Sequence, residues 1–207
     1  MIIDIHTHIF PDAIAETVLA NTAKETGLHA KEAGAVSDLR QHMSVSGVDV
    51  SVVLAVAPEA RFVKKTNDWL LSVSDEKVVF FGSIHPDFPD WENELDRLHE
   101  AGVKGIKFNA LFQYLEPDDP KVFPIYEKMV SNGTVAMFHA GASYKDRDDT
   151  SKVVATPARI AKVLDLFPEL KVIAAHFGGN HMLDEVEKHL VGRNLYLDTS
   201  YPPDFDG

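Results

Sequence analysis

The sequence has no cysteine among its 207 residues. This absence excludes disulfide bonds and thiolate metal sites, so any metal ion has to be bound by imidazole and carboxylate groups. Ten histidines supply imidazole groups in quantity. Ligands of this kind suit zinc, manganese, iron or nickel.

Basic residues are scarce: 20 lysines and arginines stand against 32 aspartates and glutamates, a formal net charge of −12. Such a surface repels phosphate backbones, so we expect no nucleic-acid partner that is recruited by charge. Long hydrophobic runs are also lacking, since the most apolar stretch, residues 50–58, is far too short to cross a bilayer. The amino terminus does not have the basic and apolar segments of a secretory signal. We therefore expect no membrane association and a cytoplasmic location.

Seven short runs of β-branched and other apolar residues recur along the chain. Most are almost continuously apolar rather than alternating, which is typical of parallel strands that are covered by helices. The predicted strands span residues 2–6, 50–56, 78–84, 103–109, 135–139, 171–176 and 194–200.

Amphipathic segments lie between these runs, and five of them have helix start and stop signals. In the last of the five, Asn180 is the predicted N-cap. The alternation of strand and helix, without a break in composition, predicts a single α/β domain over residues 1–207. The predicted helices span residues 37–47, 89–102, 119–133, 156–168 and 180–192.

Two architectures fit this alternation, an open doubly wound sheet and a (β/α)₈ barrel. An open sheet ordinarily has a glycine-rich phosphate turn after its first strand, where this chain has His-Thr-His. The steady repeat favours a TIM-like barrel, which usually needs about 250 residues. Because the sequence contains only seven candidate strands, we expect a barrel that is truncated after strand 7, with the strand 8 region missing.

Half of the histidines fall at or just beyond the carboxyl end of a predicted strand, where such folds gather their functional groups. Residues two apart in a strand share a face, so His6 and His8 are expected to project together while Thr7 points away. Converging neutral imidazoles are metal ligands, which makes these histidines candidates for a divalent-ion site. The histidines at strand ends are His6, His8, His85, His139 and His176.

Four segments around these residues are motifs of a known family: "IIDIHTHIFP", "GIKFN", "FHAG" and "HFGG". Through them the chain resembles the amidohydrolase superfamily, and more closely its metal-dependent hydrolase and decarboxylase branch, amidohydrolase-2. The resemblance implies a distorted TIM barrel in which His6, His8 and His139 bind a divalent metal. It also implies that His176 is a catalytic acid or base, or an added ligand.

A further signature of that family is an aspartate at the end of strand 8. Asp198 belongs to predicted strand 7 by its order in the chain, and Asp204 and Asp206 follow it too closely to belong to another strand. We therefore assign the role of that aspartate to none of the three.

Polar residues at the ends of strands 3 and 4 are candidates for substrate binding. Lys107 and Asn109 close predicted strand 4, and His85 follows strand 3. We expect Lys107 to pair with a substrate carboxylate or with an acid at a strand end, although in some amidohydrolases a carbamylated strand 4 lysine bridges two metal ions. Arg61 and Tyr144 lie on loops after strands, where a surface role is expected.

These residues predict a metal-dependent hydrolase that acts on an amide, ester or lactone bond of a small molecule through metal-activated water. Zinc is the first candidate for the ion, with manganese, iron or nickel as alternatives. The substrate could be carboxylated, and the protein could be a homo-oligomer. Three other functions stay open: a metal-dependent decarboxylase of the same branch, a TatD-like nuclease, and an inactive truncated scaffold. Against the nuclease, strand 4 has no glutamate at its end and the net charge is negative.

Overall fold

A computed structural model describes residues 1–27, 29–30 and 32–200 of the chain. Within them, seven short strands confirm the seven predicted ones. Most of these strands end earlier than predicted, because the chain leaves the ladder and turns into a loop at the carboxyl end. The strands are β1 (Ile3–Thr7), β2 (Val50–Leu54), β3 (Val78–Phe81), β4 (Gly105–Phe108), β5 (Val135–Phe138), β6 (Val172–Ala174) and β7 (Tyr196–Leu197).

The strands pair in chain order, and every pair is parallel. β1–β3 form one ladder and β4–β7 another. The backbone of Gly82 joins the two ladders, since its amide donates to the Gly105 carbonyl (2.9 Å) and its carbonyl accepts from the Lys107 amide (2.7 Å). Sequential parallel strands are the arrangement of a TIM barrel and not of a doubly wound sheet. Over the described residues no ladder joins β7 to β1, which agrees with a barrel that lacks its eighth strand.

Eight α-helices lie within the described residues, and five of them match the predicted segments. The other three lie outside the predicted segments and begin without a side-chain cap hydrogen bond, as four of the five matched helices also do. The helices are α1 (Asp12–Thr26), α2 (Val36–Ser46), α3 (Val63–Val73), α4 (Trp91–Glu100), α5 (Ala110–Gln113), α6 (Phe123–Asn132), α7 (Pro157–Leu166) and α8 (Leu183–His189).

The predicted cap at Asn180 is wrong. Helix α8 begins three residues later, at Leu183, with Met182 at the N-cap position. The Asn180 side chain instead donates to the Ala142 carbonyl oxygen (2.9 Å), and its backbone pairs with Ala140 and Ala142. Asn180 therefore ties the loop after β6 to the loop after β5.

Side chains from alternate strand positions form two apolar layers. One layer packs between strands and helices and includes Phe80, Ile106 and Val172, whose side chains are almost fully buried. The other is a smaller cluster on the opposite face, formed around Leu54 and Met137. Residues alternate between the faces of a strand, so these layers are the outer core and the barrel interior. Among the described residues, no helix combines the length and apolarity needed to cross a membrane.

Candidate metal centre

A bulge in β1 directs its two histidines toward the barrel interior. Asp4 pairs with Ser51, whereas Thr7 pairs with Val53, so β1 has one more residue than β2 over this stretch. The rings of His6 and His8 have centroids 5.3 Å apart, and the Thr7 hydroxyl donates away from them to the Val52 carbonyl (3.0 Å). The structure therefore brings His6 and His8 together, as the spacing predicts.

Each of these two rings is held through its Nδ1 atom. In His8, Nδ1 donates to the Leu54 carbonyl oxygen (3.0 Å), and in His6, Nδ1 lies 2.6 Å from Asp198 Oδ2. A carbonyl and a carboxylate only accept hydrogen bonds, so both Nδ1 atoms carry a proton. The Nε2 atom of each neutral ring then has a free lone pair, as in histidines that bind metal.

His139 and His176 follow β5 and β6 and contact each other. His176 Nε2 lies 3.0 Å from His139 Nδ1, and the ring centroids are 4.7 Å apart. The Nε2 atom of His139 is buried without a hydrogen-bond partner in the described structure. His176 also adjoins His6, at a centroid distance of 4.9 Å. Through His176, the structure connects the β5 histidine with those of β1.

The backbone at His176 is held in an unfavourable conformation. His176 and Phe177 have φ angles of 60° and 56°, in the left-handed region that non-glycine residues seldom adopt. Strain of this kind costs about 1–3 kcal/mol per residue and persists only where surrounding contacts impose it. Here the His176 amide donates to Asp198 Oδ1 (2.7 Å) and the Phe177 amide to the Asp198 carbonyl (2.9 Å). Asp198 thus fixes the backbone that carries His176.

Asp198 accepts hydrogen bonds on both carboxylate oxygens. Oδ2 accepts from His6, and Oδ1 accepts from the His176 amide, the Ser200 amide (3.1 Å) and the Ser200 hydroxyl (2.7 Å). The Ser200 hydroxyl also lies 2.9 Å from His6 Nδ1 and 3.0 Å from His176 Nδ1. Ligand atoms of His6, His176 and Asp198 all lie within 4.8 Å of one another, which makes these residues a candidate metal-binding group.

This group contains one of the three predicted ligands, His6, together with the predicted catalytic residue, His176. His8 and His139 lie beside the group but outside it. The assignment of His6, His8 and His139 as ligands therefore stays a prediction.

The four histidines are neutral at pH 7. Burial, followed by the charge of Lys107, lowers the pKa of His6 and of His176 to about 3. The same two causes lower the pKa of His8 to about 4, although His8 as a whole is exposed where it lines a cavity. Burial and the neighbouring His176 lower the pKa of His139 well below its usual value. Neutral imidazole is the form that binds metal ions.

Asp198 remains ionised beside them. Burial by itself raises the pKa of this carboxyl group, but hydrogen bonds from His6, Ser200 and the His176 amide together hold it well below the usual range. A carboxylate that accepts several hydrogen bonds is stabilised in its charged form. Asp198 is therefore the fixed negative charge of the site.

Lys107 and Asn109 lie on the same side of the molecule as the histidines. Lys107 pairs with Met137 across β4 and β5 and is 1 % exposed, and Nζ has no hydrogen-bond partner in the described structure. Burial lowers the pKa of Lys107 to about 7, against the opposing charge of Asp198. Asn109 Oδ1 is also buried without a hydrogen-bond partner in the described structure. The backbone N–H of Asn109 donates to Gln113 Oε1 (2.8 Å).

Two cavities reach the histidines from outside. A cavity of about 890 Å³ is lined in part by His8 and Asn109, and one of about 260 Å³ is lined in part by His139. Phe112 and Tyr114 line both cavities and lie between them. A small molecule could approach the histidines along either side of these two aromatic residues.

Buried polar atoms without a hydrogen-bond partner gather at this end of the described structure. Such atoms are few in folded proteins, and each calls for a reason. Except for the Ser51 hydroxyl oxygen, these atoms belong to residues at or after the carboxyl ends of β3–β6. These residues are Ser83, Lys107, Asn109, His139, Asn180 and His181.

The other predicted residues lie away from the histidines or outside the described residues. His85 occupies a turn after β3, where Nδ1 accepts from the Asp87 amide (3.1 Å), and it lines neither cavity. Its role in substrate binding stays a prediction. Arg61 and Tyr144 lie at the surface, where Arg61 bonds to Glu59 and Tyr144 is 45 % exposed. Asp204 and Asp206 lie outside the described residues.

Sequence reasoning missed the roles of Asp198 and Ser200. Both were assigned by their order in the chain to strand 7, which is not the strand expected to supply an acid. The signal was nevertheless present, because "LDTS" places Asp198 and Ser200 two residues apart at a strand end, as "HTH" places His6 and His8.

Comparison with solved structures identifies the fold. A TIM-barrel protein from Bordetella bronchiseptica has 15% identity and a TM-score of 0.64, with 95% of this chain and 74% of that chain covered. The 4-oxalomesaconate hydratase LigJ from Rhodopseudomonas palustris has 21% identity and a TM-score of 0.62, with coverage of 96% and 74%. The 5-carboxyvanillate decarboxylase from Novosphingobium aromaticivorans, complexed with manganese, has 15% identity and a TM-score of 0.65, with coverage of 96% and 74%.

Comparison of the sequence identifies the family. No curated protein matches the sequence significantly. The family model described as Amidohydrolase, that of the amidohydrolase-2 branch, matches residues 3–206, which is nearly the whole chain. The match confirms the resemblance that the histidine motifs indicate, and the barrel-like order of the strands agrees with it. This chain belongs to the amidohydrolase family.

Proposed function

We propose that this amidohydrolase cleaves an amide, ester or lactone bond of a small molecule, with a divalent ion held by His6, His8 and His139. The observation that carries the proposal is the common anchoring of the three rings. Nδ1 of each ring contacts a partner in the protein, which leaves the Nε2 atoms for an ion. Two imidazoles that share an ion at about 2 Å from each nitrogen have ring centres roughly 5 Å apart, close to the 5.3 Å between His6 and His8.

The donor set fits such an ion. The three rings are neutral, no thiolate competes, and His139 Nε2 is a buried atom that lacks a hydrogen-bond partner within the described residues. When bound, a divalent ion supplies Lewis acidity that polarises a carbonyl group and lowers the pKa of a water molecule to about 7.

His176 is the proposed proton carrier. Its ring contacts His139 through Nε2 and the Ser200 hydroxyl through Nδ1. A proton taken up by this ring is stabilised by the Asp198 carboxylate, whose charge raises the pKa of His176 against the effect of burial. Because both ring nitrogens are engaged in the described structure, Nε2 of His176 would have to leave His139 before the ring could take a proton from the attacking water and return it to the leaving group.

Lys107 and Asn109 are the proposed substrate-binding groups. A buried lysine amine that has no hydrogen-bond partner in the described structure suits a carboxylate, which would add a counter-charge to that of Asp198 and supply hydrogen bonds. Asn109 lines the cavity of about 890 Å³, and its Oδ1 atom, which has no hydrogen-bond partner in the described structure, can accept from a substrate hydroxyl or amide. We therefore propose that the substrate carries a carboxylate.

Decarboxylation is the second candidate reaction, and Lys107 is the observation that favours it. The Lys107 amine would hold a substrate carboxylate next to the histidines. Loss of carbon dioxide requires that carboxylate to lie at the proposed metal centre. Among the similar structures, two proteins are described as decarboxylases, one as a hydratase and one as a probable hydrolase.

A substrate screen with metal-free and metal-loaded protein tests the proposal. Lactones, amides, esters and aromatic carboxylates should be incubated with the protein, while hydrolysis products and carbon dioxide are measured separately. Metal-dependent hydrolysis without carbon dioxide is the expected result. Release of carbon dioxide alone would select the decarboxylase. A protein that binds no divalent ion would be an inactive scaffold.

Two variants determine where the ion binds. If His6, His8 and His139 are the ligands, His8→Ala should lose the metal, and His176→Ala should retain most of it while losing turnover. If the ion instead binds at His6, His176 and Asp198, His176→Ala should lose the metal and His8→Ala should retain it. His99→Ala, at an exposed position of α4, is the matched control and should change neither property.

A further inference from the structure

The cavity of about 890 Å³ extends from the histidines into the space between strands and helices. His8 and Asn109 form part of its wall at the candidate metal centre. Residues of α1, α2, β1 and β2 also line it, and they include Thr7, whose hydroxyl donates away from the histidine rings to the Val52 carbonyl oxygen. The volume lies near the upper end of the usual range for ligand pockets, about 300–1,000 Å³. The cavity therefore has room for more than the group that reacts at the histidines.

The far end of this cavity lies well away from His8. Asp4 and Ser51, which are paired across β1 and β2, both line it. Asp4 precedes His8 by four residues, and a strand rises by about 3.3 Å per residue, so the two ends of the cavity are roughly 13 Å apart. A ligand group that reaches from the histidines to this end must be elongated.

Aliphatic side chains form much of the cavity wall. They come from α1, from α2 and from the residues that follow β1 and α2. Contact of an apolar ligand group with such a wall removes apolar surface of both from water, which favours the binding of an aliphatic chain. Six of these side chains are Ile9, Val18, Leu19, Leu39, Met43 and Val48.

The cavity wall also has an excess of acidic side chains. Asp4, Glu32 and Asp38 line it, whereas no lysine or arginine does so within the part of the chain that the structure describes. The buried amine of Lys107 instead lies close enough to the histidines to lower the pKa of His8. A ligand carboxylate is therefore attracted to the histidine end of the cavity and repelled from the far end.

We propose that the substrate has an aliphatic chain, of about the length of an octanoyl group, that occupies this cavity while a carboxylate lies at Lys107. The inference rests on the proposed function for the positions of the carboxylate and of the bond that is cleaved, and it adds the class of substrate. An amino acid that carries a medium-length acyl chain on its nitrogen has the chain, the amide bond and the carboxylate in this order. A second carboxylate at the end of the chain would lie near Asp4, so dicarboxylates are disfavoured.

Calorimetric titration of the metal-free protein with three acylglycines tests the inference. N-octanoylglycine is longer than N-butyrylglycine by four methylene groups, and each buried methylene is worth roughly fourfold in affinity. We expect N-octanoylglycine to bind at least about tenfold more tightly than N-butyrylglycine. N-suberylglycine has the same chain length but ends in a carboxylate, and it should bind at least about tenfold more weakly than N-octanoylglycine.

A substitution at the end of α2 locates the chain in the cavity. Ser46 lines the cavity, whereas Ser44 is exposed on the same helix and does not line it. Ser46→Trp should narrow the cavity and weaken the binding of N-octanoylglycine at least about tenfold, while the affinity for N-butyrylglycine changes by less than about twofold. Ser44→Trp is the matched control and should change neither affinity.

Three results would overturn the inference. One is equal affinity of the wild type for N-octanoylglycine and N-butyrylglycine, and another is N-suberylglycine that binds as tightly as N-octanoylglycine. Neither of these depends on the folding of a variant. The third is an unchanged affinity for N-octanoylglycine in a folded Ser46→Trp protein.

The activity of the metal-loaded protein separates the inference from the proposed function. Hydrolysis of N-octanoylglycine adds water, breaks the amide C–N bond and releases octanoate and glycine. Chain-dependent binding without hydrolysis would contradict the proposed amide cleavage and leave the aliphatic site in place. Hydrolysis of N-butyrylglycine and N-octanoylglycine with equal kcat/KM, together with equal affinity, would support the proposed function and overturn the inference.

Discussion

The central strands β4 and β5 and the outer strands β1 and β7 contribute to the molecule in different ways. Every residue of β4 is buried, and β5 has only one residue that is half-buried, whereas both residues of β7 and the first two of β1 are exposed. The centre is fixed by backbone ladders and apolar packing. The outer strands, which share no ladder over the described residues, meet through the side-chain bond of His6 with Asp198.

This difference separates what stabilises the fold from what assembles the site. His139 and Lys107 extend from buried strands whose positions are set by packing on both faces. His6, Asp198 and Ser200 come from the outer strands or their ends and are held by hydrogen bonds between their side chains, whereas His8 is held by the Leu54 carbonyl oxygen. The following variants test that division, in order of decreasing expected effect.

Loss of a central histidine should have the largest effect. His139→Ala removes an imidazole whose free Nε2 atom is proposed to bind the ion, so we expect metal content and turnover to be lost together. Elemental analysis and activity assays on the same preparation measure both. His99→Ala serves as control, and a His139→Ala protein with wild-type metal content would rule out His139 as a ligand.

Truncation of a side chain in the central core should have the second-largest effect. Phe138 is 1 % exposed and stacks on Phe108, with ring centroids 5.3 Å apart. Phe138→Ala should lower the free energy of unfolding by about 3–5 kcal/mol, as measured by urea denaturation. Tyr196→Ala on β7, where the side chain is 72 % exposed, should change it by no more than about 0.5 kcal/mol. Equal losses in the two variants would contradict the division.

Breaking the bond between the outer strands should have an intermediate effect. Asp198→Asn keeps the shape of the side chain but removes the charge that accepts from His6, Ser200 and His176. We expect zinc affinity to fall by about 10–100-fold. The effect on unfolding should be smaller than that of Phe138→Ala. Asp165→Asn, at the exposed end of α7, is the control. A loss of stability as large as that of Phe138→Ala would mean that Asp198 supports the fold itself.

Lowering the pH should reduce the stability of the folded protein gradually. The pKa values of His6 and His176 are lowered from 6.5 to about 3, and that of His8 to about 4. Between these values and 6.5 the unfolded chain binds more protons than the folded one, so stability falls as the pH is lowered through this window. Urea denaturation of metal-free protein at pH 7.5 and 4.5 should show the loss, and His176→Gln should reduce it. Identical stability at both values would contradict the burial of neutral histidines.

Local sequence patterns were sufficient for the strands and for the histidines at their ends. Apolar runs predict parallel strands because a strand that is buried on both faces needs apolar residues at successive positions. The spacing of His6 and His8 predicts that they share a face. The helices α1 and α3 were not predicted, and capping does not account for this, because four of the five predicted helices also begin without a side-chain cap hydrogen bond. Asn180 is not a cap because its side chain and backbone pair with the loop after β5.

The sequence by itself determined the strand order, the family and the supply of imidazoles at one edge of the sheet. Only the tertiary structure decided that Asp198 and Ser200 belong to the site, and that the Nδ1 atoms of His6 and His8 are the ring nitrogens held by the protein. The His6–Asp198 bond joins residues 192 positions apart, so it depends on how the strands curve round and not on any local pattern. Proton placement depends in turn on such contacts, because each ring nitrogen takes its role from the atom that faces it.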